Sequence, residues 1–594
     1  MNAPSLPSGS LANESPCAVI RDAASGRWRR YRHPMTVWTA SRIEEVMPRL
    51  RDIERAVEAD RLHAAGWIAY EAAPAFDPAL TAHPANDFPL LWFALFSEWE
   101  FIDLPLPDSP VAGPWLPDTS PEAYARAFER IKRHIHDGDT YQADYTYRLV
   151  NHAFPHDPWQ AFLALAHAQD ARFGAYLAAD PWRIASASPE LFLRLDGTRL
   201  ESRPMKGTAP RGLTAAQDRA QAQALAASEK NRAENLMIVD MVRHDLGRVA
   251  RPGSVHADLL CTLEKYPTVW QMVSTVTAET HAPVADILAA TFPPASITGA
   301  PKARTMDILA GLESSPRQVY TGAIGFLAPG RHAQFNVAIR TLLIDLHRQR
   351  AEFGVGGGIV WNSDLDAEQA ECRTKARILS TPPPPPFDLL ETILWTPENG
   401  LYLLDRHLQR LRESAEYFDY SCDESAVRDR LEAAARSWPA DAPRRIRLLL
   451  AHDGSLRIED QPLAPLGRRG PLRLTLATRP IDRRDPFLYH KTTHRRVYEQ
   501  AKAEFPEHDD VVLFNDHGEA TETTLANLVV ELDGCLCTPP VECGLLPGTA
   551  RADGLARGLL QERILPVTRL REPHPLFILN SVRGLIPAVL DIDN

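Results

Sequence analysis

No run of apolar residues in this 594-residue chain approaches the roughly 20 that a membrane helix needs, so no helical span is read. The opening residues, MNAPSLPSGSLANESPCAVI, have neither a basic region nor an apolar stretch. No secretory signal is therefore read there, and the segment is expected to be a short disordered lead. Nothing repeats at a fixed period, which removes solenoids and propellers. Cysteine is scarce: seven residues, at 17, 261, 372, 422, 535, 537 and 543. Cys535 and Cys537 stand in C-x-C spacing with Cys543 nearby, but a structural zinc needs a fourth ligand, and no His or further Cys is close. The set is that of reduced thiols in a cytosolic protein. Cations are outnumbered, 65 Lys plus Arg against 77 Asp plus Glu, for a formal net charge of −12. That balance argues against nucleic acid or an anionic membrane as the main partner. It leaves small anionic substrates open, since these need only local cations.

The length predicts roughly two to four domains. The clearest boundary is the five-proline run at 382–386, after Ser380 and Thr381. Such a run stiffens into polyproline II and cannot lie inside a helix or sheet. It is either a rigid surface loop or an interdomain spacer. The change of texture favours the spacer: an amphipathic helix precedes it, and a strand-like run opens at Phe387. A weaker break, with Pro105, Pro107, Pro110, Pro114 and Pro117, lies at 104–120. The expected organisation is 1–120, 121–380, a linker at 381–386, and 387–594. Helices are expected over 41–60, 121–136 and 228–248, and strands over 66–70 and 90–96.

Three features of 121–380 can carry chemistry. Lys206 sits between Pro204-Met205 and Gly207-Thr208, in a tight turn, with Glu190 sixteen residues earlier. A lysine that is buried or near other cations loses its proton more easily and becomes a nucleophile; taken alone, a lysine on a turn is most often a surface charge. The helix over 228–248 has Met237, Ile238, Met241 and Val242 on one apolar face, with Glu234 among its polar residues. Finally, glycines at 354 and 356–358 precede a helix opening near Asp366, which with Gln369 resembles a capping box. Glu368, Glu371 and Lys375 then share one helix face. Beside a glycine-rich loop, which lets an anion approach closely, they could hold a magnesium ion and a carboxylate.

Seven strings in order, SASPELFLR, RPMKGTAPRG, EKNRAENLMIVDMVRHDLGRV, FPPASITGAPKARTMDIL, YTGAIGF, FNVAIRTL and VGGGIVWNSDLDAEQAECRTKA, resemble the chorismate-utilising family over roughly 121–380. That family includes anthranilate, isochorismate and aminodeoxychorismate synthases. The resemblance implies an α+β body with antiparallel sheets. It implies Mg²⁺ held by Glu234 and Glu371, with Glu368 close by, and chorismate oxygens held by Arg340, Lys375, Tyr320 and the backbone near Gly358. It makes Ser296, Thr298 and Gly299 pocket wall and Glu190 the acid that helps the ring hydroxyl leave. Lys206 discriminates within the family: anthranilate synthases usually carry alanine there, and aminodeoxychorismate synthases carry lysine. In the latter the amine attacks ring carbon 2, the hydroxyl on carbon 4 departs, and ammonia then enters at carbon 4 and expels the lysine. Relatives often have histidine where Trp270 stands, so no role is assigned there. No cysteine has the glycine-rich context of a glutaminase nucleophile, so a separate glutamine amidotransferase subunit, or free ammonia, is expected.

Beyond the prolines, HKTTHR at 490–495, DVVLFN at 510–515, TETTLANLVV at 521–530 and GLLPGTAR at 544–551 can be read together. A pyridoxal-phosphate enzyme needs a lysine for the aldehyde, an acid for the pyridine nitrogen and donors for the phosphate. With LLDRHLQRL at 403–411, these strings resemble the class IV aminotransferase-like family, from about 387 to 590. The family includes transaminases and 4-amino-4-deoxychorismate lyases. The resemblance implies an α/β fold-type IV domain, often dimeric. It makes Lys491 the coenzyme-carrying lysine and Glu522 the partner of the pyridine nitrogen, with Arg410 and Thr549 on the phosphate, helped by Ala526 and Asn527. His494 stands where asparagine is expected. These residues do not separate lyase from transaminase. The fusion favours the lyase, because the product of the first part is that lyase's substrate. The reading is a cytoplasmic enzyme making 4-aminobenzoate for folate from chorismate and ammonia. The rivals are an anthranilate synthase, a synthase fused to a true aminotransferase, and an inactive C-terminal binding module.

Overall fold

The strand Leu91–Phe96 is buried at every position, which requires cover on both of its faces. A computed structural model, describing residues 15–84, 86–108, 111, 113–155, 157–380, 385–465 and 470–591, shows what supplies that cover. Most of the expected lead, 1–14, and the first part of the expected linker, 381–384, lie outside the described residues. The chain divides into two units: Met1–Pro210 with Ala222–Pro383, and Arg211–Gln221 with Pro384–Asn594.

The first unit is built on two large sheets in which every strand pairing is antiparallel. One runs Gly299–Ala300, Gln142–Asn151, Arg350–Val360, Thr341–Asp345, Trp182–Ser186, Ala175–Ala179, Cys17–Arg21, Trp28–Tyr31 and Glu100–Ile102. The other runs Met205–Pro210, Val269–Glu279, Arg199–Arg203, Leu191–Asp196, His332–Val337, Ala323–Ala328, His63–Ile68, Leu91–Phe96 and Thr36–Ala40. Their inner faces pack together, Tyr31, Leu177 and Ile184 from the first against Trp67, Trp92 and Phe326 from the second. Helices cover the outer faces: Ile43–Ala59, Glu229–Gly247 and Val284–Thr291 on one side, Pro158–Gln169 on the other. This double cover is why so many strands read as continuous apolar runs.

The expected helices over 41–60, 121–136 and 228–248 are Ile43–Ala59, Pro121–His136 and Glu229–Gly247. The end of the expected lead differs. Residues 17–20 are a buried strand, because Cys-Ala-Val-Ile pairs between Ala175–Ala179 and Trp28–Tyr31. Residues before 120 share both sheets with those after it: His63–Ile68 also pairs with Ala323–Ala328.

The second unit has a four-stranded antiparallel sheet, Gly400–Leu401, Leu389–Thr396, Arg444–Leu450 and Leu456–Pro462, covered by Leu404–Phe418 and Glu424–Ala435. Its second sheet has eight strands, with Leu472–Leu476 parallel to both Asp510–Phe514 and Gly584–Leu590. A pairing between Glu522 and Asn527 closes six of these strands on themselves. The presence of Arg211–Gln221 in this unit was not anticipated. Its backbone is taken up by side chains of 417 and 490: Tyr417 Oη donates to the Gly212 carbonyl at 2.9 Å, and His490 Nε2 lies 3.2 Å from that of Leu213. Among the described residues no helix is long and apolar enough to cross a membrane.

Candidate functional site

In the first unit, Lys206, Glu190, Glu234, Glu368, Glu371 and Lys375 line one cavity. Tyr320, Arg340, Ser296 and Gly358 line it too. Lys206 comes from the edge strand Met205–Pro210. That strand replaces the expected tight turn: its register shifts between Met205 and Thr208, where the Gln271 amide donates to the Gly207 carbonyl and accepts from Thr208 Oγ1, each at 3.0 Å. Glu234 comes from a helix capped by Ser228, which accepts from Asn231 N. Glu368, Glu371 and Lys375 come from Leu365–Ala376. The cap of that helix is Asp364, not Asp366: its carboxylate accepts from Ala367 N at 3.0 Å, which leaves Asp366 inside the first turn. Thr298 and Gly299 stand behind the wall. The Thr298 carbonyl accepts from Asp144 N at 2.9 Å, and Gly299 pairs with Ala143.

Lys206 Nζ donates to Asp144 Oδ1 at 2.8 Å. Sequence reading missed Asp144, because a single acid in a strand, QADYTYRLVN, carries no local signal. Glu190 is buried, accepts from Ser296 Oγ at 2.6 Å, and is pushed up by that burial to about 7. It is thus able to carry a proton near neutral pH. Burial likewise raises Glu234 and Glu368. Glu371 is lowered by the Lys375 ammonium, 2.6 Å away, which also donates to the Gly356 carbonyl. Arg340 is held by Gln169, and burial lowers its guanidinium to about 10. A half-buried cation whose partner is a neutral amide suits an anionic ligand. The Tyr320 ring lies under the Arg148 guanidinium, 5.1 Å from its centroid.

The glycines make this cavity possible. A Cβ at Gly357 would come within 3.2 Å of Glu368 Oε2. At Gly354 it would strike the Tyr320 ring at 2.3 Å. Magnesium fits the donor set: Glu234 Oε1 is a buried oxygen with no hydrogen-bond partner, and Glu368 and Glu371 line the same cavity. Among the described residues no three His, Cys, Asp or Glu gather tightly enough to cage a metal alone. Substrate and water oxygens would complete the shell, as Mg²⁺ allows.

In the second unit, burial, with Arg410 and Arg495 adding to it, lowers Lys491 to about 8. Burial pushes Glu522 up to about 7, partly offset by Leu546 N and Tyr498 Oη, which donate to it at 3.0 and 2.8 Å. Asn527 Nδ2 donates to Glu522 at 3.3 Å and to the Leu546 carbonyl at 2.9 Å. Arg410 is clamped by Glu391, Nε at 2.8 Å and Nη2 at 2.6 Å. His407, which sequence reading left without a role, links that carboxylate to Thr549: Nδ1 is 2.6 Å from Glu391, and Nε2 is 3.3 Å from Thr549 Oγ1. Thr549 opens the helix Thr549–Ala556, whose cap is Gly548. A Cβ on Gly548 would collide with Asn527 Oδ1 at 1.9 Å. A depressed lysine, a buried acid, and an arginine, a hydroxyl and a helix start for a phosphate fit pyridoxal phosphate. His494 packs its ring against Phe487 at 4.5 Å.

Residues 102–381 match the family model for chorismate binding enzymes, and residues 388–590 match that for class IV amino-transferases. The two matches follow one another in the same chain. Over the chorismate-binding part it is 44% identical to an aminodeoxychorismate synthase from Streptomyces griseus across 287 residues, 47% of this chain and 39% of that relative. It is 42% identical to aminodeoxychorismate synthase component 1 from Klebsiella aerogenes across 268 residues, 45% of this chain and 59% of the relative. The chain thus spans less than two thirds of the length of either relative. The crystal structure of anthranilate synthase component I from Streptococcus pneumoniae TIGR4 shares the fold, with TM-score 0.52 at 20% identity over 64% of this chain and 94% of that one. The antiparallel sheets expected of the chorismate-binding part are those observed. The class IV family implies pyridoxal phosphate.

Proposed function

We propose that this chain converts chorismate and ammonia to 4-amino-4-deoxychorismate in its first unit, and that compound to 4-aminobenzoate and pyruvate in its second. The observation that carries the reading is Lys206, in one cavity with the buried acid Glu190 and the three glutamates 234, 368 and 371. An anthranilate synthase needs no amine at that position. Arg340, Lys375 and Tyr320 hold the anionic substrate. Glu234 and Glu371, with Glu368 beside them, would hold magnesium, which would supply positive charge for the anionic substrate. Lys206 attacks ring carbon 2, Glu190 protonates the departing hydroxyl on carbon 4, and ammonia displaces the lysine. A separate glutamine amidotransferase subunit supplies the ammonia.

In the second unit, Lys491, Glu522, Arg410, Asn527 and Thr549 hold pyridoxal phosphate. When bound, the coenzyme supplies an electron sink for the substrate's α-carbon. Lys491, with its lowered amine, takes the α-proton. Release of the aromatic amine rather than amino exchange rests on the fusion, which presents one site's product to the other at raised local concentration. The seven free thiols suit a reducing cytoplasm.

The test is product identity. Purified chain with chorismate, Mg²⁺, ammonia and pyridoxal phosphate is expected to yield 4-aminobenzoate and one equivalent of pyruvate. Anthranilate as the aromatic product overturns the first assignment. Amino exchange between an amino acid and 2-oxoglutarate, with no 4-aminobenzoate formed, overturns the second.

A further inference from the structure

An amine that is to attack carbon must first surrender its proton, and the structure places one carboxylate on the Lys206 amine. Asp144 is 6% exposed, lies in the strand Gln142–Asn151, and lines the cavity. Its Oδ1 accepts from Lys206 Nζ at 2.8 Å and its Oδ2 from Gln142 Nε2 at 3.0 Å. Its main chain is held as firmly: N–H donates to the Thr298 carbonyl at 2.9 Å, and its own carbonyl accepts from the buried Arg317 Nη2 at 2.7 Å. The residue opposite it on the next strand is Gly358. A Cβ there would sit 2.9 Å from Lys206 Nζ and 3.0 Å from Asp144 Oδ1, so the missing side chain leaves room for this pair. Glu190, another buried carboxyl of the cavity, is hydrogen-bonded to Ser296 instead. The two acids therefore have separate partners, which is how one site runs acid and base chemistry together.

We propose that Asp144 is the proton acceptor for the Lys206 amine, and the group that returns the proton at the end of the cycle. This rests on the reading of Lys206 as nucleophile given above. Asp144 takes one proton from the Lys206 ammonium. The free amine forms the Nζ–C2 bond, the ring double bonds shift, and the C4–O bond breaks, with Glu190 giving the proton that makes the leaving group water. Ammonia then forms the C4–N bond, the C2–Nζ bond breaks, and Lys206 leaves as a neutral amine. Asp144 returns its proton to that amine, and Glu190 recovers one from the new ammonium on C4. The sum is chorismate plus ammonia giving 4-amino-4-deoxychorismate plus water.

Asp144→Asn keeps the shape and removes the basic oxygen. In the full chain with chorismate, Mg²⁺ and ammonia, kcat is expected to fall by about 10²–10³-fold while KM for chorismate stays within about threefold. The residual rate should climb with pH, because solvent base substitutes for the carboxylate. Peptide mass spectrometry of protein quenched with chorismate and no ammonia should show the adduct on Lys206 forming more slowly. Asp144→Ala tests the same point without needing the asparagine variant: added formate should raise its rate by at least about tenfold. A kcat for Asp144→Asn within about threefold of wild type overturns the proposal. So does a loss in both variants with no pH slope and no response to formate, which marks a merely structural residue. Lys206→Ala separates this from the underlying reading. If that variant still makes 4-amino-4-deoxychorismate, the nucleophile assignment fails; if it is dead while Asp144→Asn is active, only the role of Asp144 fails.

Discussion

Glu190 accepts a 2.6 Å hydrogen bond from Ser296 Oγ at a place where burial pushes its carboxyl up to about 7. The hydroxyl favours the ionised form and the burial the neutral one. The balance leaves an acid that still holds its proton where ordinary carboxyls have lost theirs.

That balance has a sign in stability as well as in rate. Between the ordinary value of 4.5 and about 7 the folded chain retains a proton that the unfolded chain has released. Stability therefore declines as pH rises through that window, on the order of 3 kcal/mol in all. Glu190→Gln, neutral throughout, is expected to show a flatter stability profile from pH 5 to 8 in thermal melts and to lose about 10²–10⁴-fold in kcat for chorismate amination. An unaltered profile would place the titrating group elsewhere.

Gly358→Ala tests the packing of the Lys206–Asp144 pair without touching a charge. The added methyl would sit 2.8 Å from Gln142 Nε2 and 2.9 Å from Lys206 Nζ, so the amine must move. A displacement of that kind costs about 10²-fold in rate. Amination of chorismate should fall accordingly, while conversion of supplied 4-amino-4-deoxychorismate to 4-aminobenzoate stays as in wild type. A full amination rate would show that the pair has room to spare.

What was legible and what was not divide along physical lines. Glu234, Lys206 and the 368/371/375 face stood out because each lies in a contiguous string; local periodicity placed Glu234 and that face on helices, while Lys206 lies in a strand where a turn was expected. Asp144 did not, because its meaning comes from a partner 62 residues away on a strand of the other sheet. His407 was passed over for the same reason: its two partners, Glu391 and Thr549, lie on other elements. The Asp366 cap was misplaced by two residues, since two aspartates in DLD compete and only geometry shows which oxygen meets an N–H. Residues 17–20 looked like a lead because four residues carry too little pattern to announce a strand sealed by neighbours at 28–31 and 175–179.

Lys491 is expected to be the residue that joins the coenzyme to the protein. Its amine is lowered to about 8, first by burial and then by Arg410 and Arg495. The chain loaded with pyridoxal phosphate should show a visible absorption band that is absent in Lys491→Ala. Borohydride reduction should fix the coenzyme to the peptide containing residue 491 in wild type alone. A reduced label on any other lysine would remove Lys491 from this role.

Glu391 holds Arg410 in place through two hydrogen bonds, with His407 as a third partner, all three buried. Burial alone would raise this carboxyl, yet Arg410 and His407 outweigh it and carry it down to about 2. The folded value lies below the unfolded one, so the stabilisation is complete above 4.5 and is lost as pH falls toward 2. It does not change on the alkaline side. Glu391→Gln leaves the guanidinium charge buried without its counter-charge, an effect of roughly 3–5 kcal/mol. Two readings follow in thermal melts of the full chain. At neutral pH the transition of the second unit should drop by several degrees in the variant, and between pH 5 and 2 the variant should lose less further stability than wild type. Equal midpoints at neutral pH would mean that Arg410 finds another anion, and a bound phosphate would then be the first to test by adding pyridoxal phosphate to both proteins.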